Sequence, residues 1–209
     1  MNKKYPVPTI RRLPLYLRVI KELSYQGREF VSATDIALAL ELDSVKVRKD
    51  LAYTDAIGRP RVGYRITELI HAIRAIIGWD RNAAAILIGA GSLGSALLGF
   101  EGFSRRGLNF VAAFDINQDK CGTVIHDCFV RSMTELEAYI SEQKIEIAVL
   151  TVPAHAAQQV TERMVGAGIK GIWNFSPVRL NVPSGVVVQS EKLVSGLAVF
   201  MVRMARGVE

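Results

Sequence analysis

Cysteine is nearly missing from this sequence: of 209 residues only Cys121 and Cys128 are of that type. Two are too few for the disulfide framework of a small secreted domain, and the six residues between them match no usual zinc-ligand spacing. Histidine is scarce as well, with only His71, His126 and His155. None has an evident carboxylate or nucleophile partner in sequence, and His126, although it lies between the cysteines, reads more simply as a packed residue than as a metal ligand. No metal is therefore expected. None of the six tyrosines is followed four residues later by lysine, which removes the short-chain dehydrogenase pair. No apolar run reaches the roughly 18 residues of a membrane span, and Met1 to Pro8 lacks the apolar core of a signal peptide. The expected location is cytoplasmic, away from membranes. Internal repeats and low-complexity tracts are absent too, so solenoid architectures are excluded.

What is present is the balance of a folded protein, half apolar and 22% charged. The length exceeds the common single-domain size of roughly 100–150 residues, which points to two small domains. Charge is uneven between them. Residues 1–80 carry 14 Lys and Arg against 9 Asp and Glu, whereas the remainder carries 12 against 11. A basic front suits a polyanion such as DNA, RNA or an anionic membrane face; from charge alone, a solvated basic surface with no partner reads equally well.

Up to about residue 79 the apolar residues recur at helical spacing. Ile10 to Tyr25 predicts a helix with Leu13, Leu17, Ile20 and Leu23 on one side. Ser32 and Asp35 form a capping box that starts a second helix, Ala33 to Leu40. After Glu41-Leu42-Asp43, Ser44 begins a third, to about Tyr53, that buries Val47 and Leu51 and leaves Ser44, Lys46, Arg48 and Lys49 on other faces. A recognition helix needs that division: an apolar side on the bundle, with cationic and polar groups free for base edges and phosphates. Ile57 to Ile66, with glycines and a proline at its bends and Arg59, Arg61 and Arg65 along it, reads as a hairpin wing. A helix from about Thr67 to Ile77 ends near Gly78, and the boundary falls at Gly78 to Arg81.

From Ala83 onward compact apolar runs alternate with helical stretches, the signature of a βαβ series. Strands are predicted at Ala84 to Ile88, Asn109 to Phe114, Ile145 to Val152, Lys170 to Phe175 and Gly185 to Gln189, with helices at Thr134 to Lys144 and Ala154 to Ala167. The first strand runs into Gly89-Ala90-Gly91-Ser92-Leu93-Gly94 and a helix; the second ends at Asp115. This is the context that gives a G-x-G-x-x-G run its meaning. Gly89 permits the tight turn, Gly91 lets the backbone approach a pyrophosphate, and Gly94 allows close helix-to-strand packing, while Asp115 is placed to accept hydrogen bonds from an adenosine ribose. No Arg or Lys occupies the four positions after Asp115, which favours NAD(H) over NADP(H). A structural glycine turn, or another ribonucleotide such as CoA, is the competing explanation. His155 follows Val152-Pro153 where cofactor sites lie, but a lone histidine there more often begins a helix. The final stretch, Leu193 to Met204, is apolar around most of its circumference and must be buried, by a partner subunit or by its own sheet.

Taken together these residues resemble the Rex family of redox-sensing transcriptional repressors over nearly the whole chain. The segments that carry the resemblance are Thr9 to Tyr16, Val45 to Asp50, Val62-Gly63-Tyr64, Gly89 to Gly94, Ala112 to Asp115, Leu150 to Ala154 and, most specific, Gly168 to Pro183. The resemblance implies an α/β protein: a winged helix-turn-helix over 1–79, a Rossmann-like parallel-sheet domain over 80–190, and a domain-swapped dimerisation helix over 191–209. It implies a homodimer on double-stranded, AT-rich palindromic operator DNA, released by NADH while NAD+ competes, and no catalysis. To the glycine run and Asp115 it adds cofactor contacts at Thr151, Val152, Pro153 and Asn174. To Ser44, Lys46, Arg48, Lys49, Arg59 and Arg61 it adds DNA contacts at Arg11, Arg12, Tyr53 and Tyr64. Three positions depart from the family pattern: Phe100 stands where many members carry Tyr, Lys192 where they carry Asp, and Thr54-Asp55 replaces Phe-Gly. These departures keep open a constitutive DNA-binding paralogue with a structural nucleotide site, beside the small NAD-dependent oxidoreductase that a Rossmann motif alone allows.

Overall fold

Punctuation and periodicity set the elements of the N-terminal part. Helix α1 (Val7–Tyr25) is entered through Pro6 and buries Leu13, Tyr16, Leu17 and Ile20, spaced to lie on one face. Strand β1 (Phe30–Val31) leads to α2 (Ala33–Ala39), whose Ser32 and Asp35 exchange both capping-box hydrogen bonds. In α3 (Ser44–Leu51) the cap is Asp43, whose side chain accepts from the Lys46 amide; Ser44 is the first helical residue rather than the cap, and the helix stops two residues short of Tyr53. Strand β2 (Tyr64–Arg65) pairs antiparallel with β1, and α4 (Ile66–Ile77) ends on Gly78 in the left-handed conformation. A computed structural model describes residues 5–206 and divides the chain into two compact units, Met1–Arg81 and Asn82–Glu209.

The second unit is a seven-stranded sheet. In chain order its elements are β3 (Ala83–Ile88), α5 (Ser92–Leu98), β4 (Leu108–Asp115), β5 (Val124–Ile125), β6 (Cys128–Ser132), α6 (Leu136–Gln143), β7 (Ile147–Leu150), α7 (Ala154–Ala167), β8 (Gly171–Asn174), β9 (Val187–Ser190) and α8 (Leu193–Arg206). The spatial order β5-β6-β4-β3-β7-β8-β9 is the dinucleotide-binding order, reversing direction at β3, with one strand added at the edge. That edge strand corrects the expectation of a wholly parallel sheet, because β5 pairs antiparallel with β6. Neither was foreseen. The turn between them, His126-Asp127, has left-handed φ of 46° and 63° without the glycine that usually marks such a hairpin. A short looped connection thus replaces the crossover helix between β4 and β6. One face of the sheet buries Ile86, Ile88, Phe114 and Leu150 under α6 and α7; the other buries Leu87, Ala113 and Val149.

Helix α8 does not lie on its own sheet: Val194, Phe200 and Met204 are 75%, 57% and 71% exposed. No helix among the described residues is long and apolar enough to cross a membrane.

One buried cluster fixes α3 in place. Asp50, 3% exposed, accepts hydrogen bonds from Thr9 Oγ1 at 2.8 Å, from Arg12 Nε and Nη2 at 2.6 and 2.8 Å, and from Tyr16 Oη at 2.6 Å. Burial alone would raise its pKa, but the bonds from Arg12, Tyr16 and Thr9 outweigh it and hold the carboxyl below its ordinary range. Removing one partner of such a pair strands the others. Asp50→Ala is expected to destabilise the first unit by about 3 kcal/mol, measured by chemical denaturation. A lowered folded pKa stabilises above the unfolded value of about 3.9 and is lost as pH falls through the folded one. The wild-type chain should therefore lose stability below about pH 4 along a slope that Asp50→Asn flattens.

Candidate functional sites

In the first unit, the division expected of α3 is realised. Val47, Asp50 and Leu51 are buried, while Lys46, Arg48 and Lys49 are exposed and Ser44 is half-buried. The wing is closed by reciprocal backbone bonds between Arg59 and Gly63, with Arg61 at its tip in a left-handed conformation. Gly63 is obligatory: its φ is +98°, and a Cβ there would come within 2.4 Å of Val31 O. Between wing and helix lies a hollow of about 390 Å³ that gathers Arg48, Arg59, Arg61 and Tyr64 beside the start of α2. The Arg59 guanidinium lies 5.4 Å from the Phe30 ring centroid, within cation–π range. Three guanidinium groups around one concavity can neutralise phosphate and read base edges.

The other expected nucleic-acid residues divide. Arg11 is exposed on α1. Arg12 is not free, because its guanidinium is committed to Asp50, an ion pair that raises its pKa. Tyr53 lies just beyond α3 and packs edge-on against Tyr5 at 6.1 Å.

In the second unit, a cavity of about 820 Å³ opens at the carboxyl ends of the strands, within the range of nucleotide-sized sites. Its floor is the glycine turn. Gly89 has φ +95° and lies against Thr151; a Cβ on Gly94 would fall 2.1 Å from Gly89 O; Gly91 has nothing within 4 Å and faces open space. A backbone stripped of side chains at the one place where the cavity needs room is what a pyrophosphate requires. Gly91, Leu93, Asp115, Thr151, Val152 and Pro153 line the cavity, as does Gly89. Thr151 Oγ1 donates to Ile88 O and Gly89 O, which ties the ends of β3 and β7 together.

Ala90, Ser92 and Gly94 belong to the turn without lining the cavity, and Asn174, next to the lining Phe175, does not line it either. Asn174 is fully buried, its Nδ2 donating to Val178 O and Ser190 Oγ and its Oδ1 accepting from the Ser176 amide. Arg163 and Phe175 are among the lining residues outside the expected set. Arg163 is held by Glu137 at 2.5 and 2.8 Å, and Phe175 ends an aromatic series running through Trp173 and Phe103 to Phe100. His155, left open in the sequence, also lines the cavity.

Two families match separate parts of the chain: "Putative DNA-binding protein N-terminus" over residues 4–52 and "CoA binding domain" over 80–178. A relative from Treponema denticola, described as redox-sensing transcriptional repressor Rex, is 47% identical over 204 residues, covering 97% of each chain. The chain belongs to the Rex family. This family consists of transcriptional repressors rather than enzymes, which disfavours the oxidoreductase alternative. Among solved structures, the Rex-family repressor RSP in complex with β-NAD+ and operator DNA is 32% identical with a TM-score of 0.92, over 99% of this chain and 95% of that one. RSP in complex with β-NADH, also 32% identical, gives 0.87 over 99% and 97%.

Two glycine substitutions separate fold from site. Gly94→Ala is expected to lower the thermal midpoint of the second unit, because its Cβ meets backbone. Gly91→Ala should leave that midpoint unchanged, because its φ of −75° suits alanine and its Cβ enters open space. Differential scanning calorimetry of both variants checks the pair.

Proposed function

We propose that the chain is a cytoplasmic, homodimeric repressor that binds operator DNA through its first unit and is released when NADH occupies the cavity of its second, NAD+ competing for the same place. The carrying observation is that the hollow holding Arg48, Arg59 and Arg61 and the cavity running from Gly91 to Asp115 occur in one Rex-family chain. Arg48, Arg59 and Arg61, with Lys46, Lys49, Ser44, Tyr64 and Arg11, contact DNA; Arg12 acts through Asp50 by orienting α3. Residues 1–79, 80–190 and 191–209 are the DNA-binding, dinucleotide-binding and dimerisation segments.

The fit to the cofactor is local. The turn around Gly89 and Gly91 takes the pyrophosphate, Asp115 the adenosine ribose, and Thr151, Val152 and Pro153 the wall toward the nicotinamide. Reduced and oxidised nicotinamide differ by a ring charge and a hydride, which is the chemical difference the switch reads. The protein's part is to favour one dimer geometry when the site is filled by NADH, and only such differential affinity shifts a two-state equilibrium. The exposed apolar α8 supports a partner subunit as its cover, and two-fold symmetry matches a palindromic site.

Anisotropy of a fluorescent AT-rich palindromic duplex, at fixed moderate salt, tests the proposal with NADH, NAD+ and CoA titrated separately. Release by NADH at concentrations where NAD+ and CoA have little effect is the expected result. Tight binding indifferent to all three would instead mark a constitutive repressor, and release by CoA would reassign the cavity. Arg48→Ala should weaken the complex about 10- to 100-fold, the loss of one good base contact, and rising salt should weaken wild type steeply through counterion release.

A further inference from the structure

The looped connection that replaces the crossover helix between β4 and β6 places a cation beside Asp115, an acid that lines the cavity. After Asp115 the chain folds through successive short turns. The Asn117 amide donates to Asp115 Oδ1 at 2.8 Å, the Asp119 amide to Asn117 Oδ1 at 2.9 Å, and the Lys120 amide to Asn117 O at 3.1 Å. Thr123 Oγ1 then donates to Lys120 O at 2.7 Å. These turns bring Lys120 back over the residue that started them. Its Nζ donates to Ala90 O, in the glycine turn, at 2.9 Å, and stands 3.5 Å from Asp115 Oδ2. Sequence spacing does not reveal this, since the lysine lies five positions beyond the acid.

We infer that Lys120 is a further dinucleotide-binding and positioning residue, which ties the glycine turn to Asp115 and donates to an adenosine-ribose hydroxyl held there. This inference deepens, and rests on, the dinucleotide reading of the cavity. Of the three ammonium donors, one is used by Ala90 O and one points at Asp115, which leaves a third for a ligand oxygen. Asp115 Oδ1 is occupied by the Asn117 amide, so a ribose hydroxyl docks on Oδ2, the oxygen that Lys120 faces. The ammonium, though partly exposed, is anchored on protein oxygens. It therefore serves a hydroxyl on Asp115 without turning the site toward a 2′-phosphate. Its contribution belongs to the adenosine half of the ligand and is blind to the redox state of the nicotinamide.

Isothermal titration calorimetry on the full-length chain with ADP-ribose, NADH and NAD+ tests this. Lys120→Met is expected to weaken ADP-ribose roughly fivefold, the scale of a partly exposed ion pair with a charge-assisted hydrogen bond. It should shift NADH and NAD+ by the same factor, keeping their ratio. Lys120→Arg should restore most of the affinity. In an Asp115→Asn background the same Lys120→Met change should cost less than twofold, because the two groups act on one hydroxyl. Unchanged ADP-ribose affinity in Lys120→Met, a full fivefold loss that persists without Asp115, or an altered NADH-to-NAD+ ratio would each overturn the inference alone. Wild-type protein that binds no ADP-ribose would overturn the dinucleotide reading and the inference with it.

Discussion

The carboxylate of Asp50 is the constraint on which the DNA-facing unit depends. It sits on the inward side of α3 and is satisfied entirely by α1, through Thr9, Arg12 and Tyr16. A charge buried this way is rigidly placed, because any rotation of α3 would leave it and three donors unpaired. Lys46, Arg48 and Lys49 occupy the remaining faces of the same eight-residue helix. Their direction is thus set from beneath by a polar anchor, in addition to the apolar contacts of Val47 and Leu51. Arg12, through Asp50, thereby helps to fix which way Arg48 points.

The second unit uses backbone where the first uses charge. Gly94 lets α5 approach Gly89 closely enough that a methyl group would collide, and Gly91 keeps the cavity floor bare. Thr151 ties the neighbouring strand ends with one hydroxyl. The turn is thereby held before any ligand arrives, and little ordering cost is left to binding.

Features encoded locally were legible in the sequence. Helix α7 begins after Pro153 and ends before Gly168, and those two residues fix its bounds without reference to the rest of the fold. The Ser32–Asp35 capping box and the glycine run with Asp115 are equally short-range. What escaped depends on distant or atypical pairings. Arg12 reads as a free cation until Asp50, 38 residues away, is brought beneath it. The hairpin β5–β6 lacks a glycine at its turn, and Lys120 reaches Asp115 only because the intervening turns fold back. Asn174 shows another non-local role: its side chain bonds Val178 O and the Ser176 amide and so organises the loop after β8.

The bare apolar surface of α8 carries a consequence for dosage. A helix exposing Val194, Leu197, Phe200 and Met204 is costly to leave in water, and in the proposed homodimer a partner subunit covers it. Association is second order in protein, so below the dimer dissociation constant the operator-competent species grows with the square of the chain concentration. A modest change in synthesis rate then alters promoter occupancy more than proportionally, and expression level becomes a gain control acting alongside the nucleotide signal.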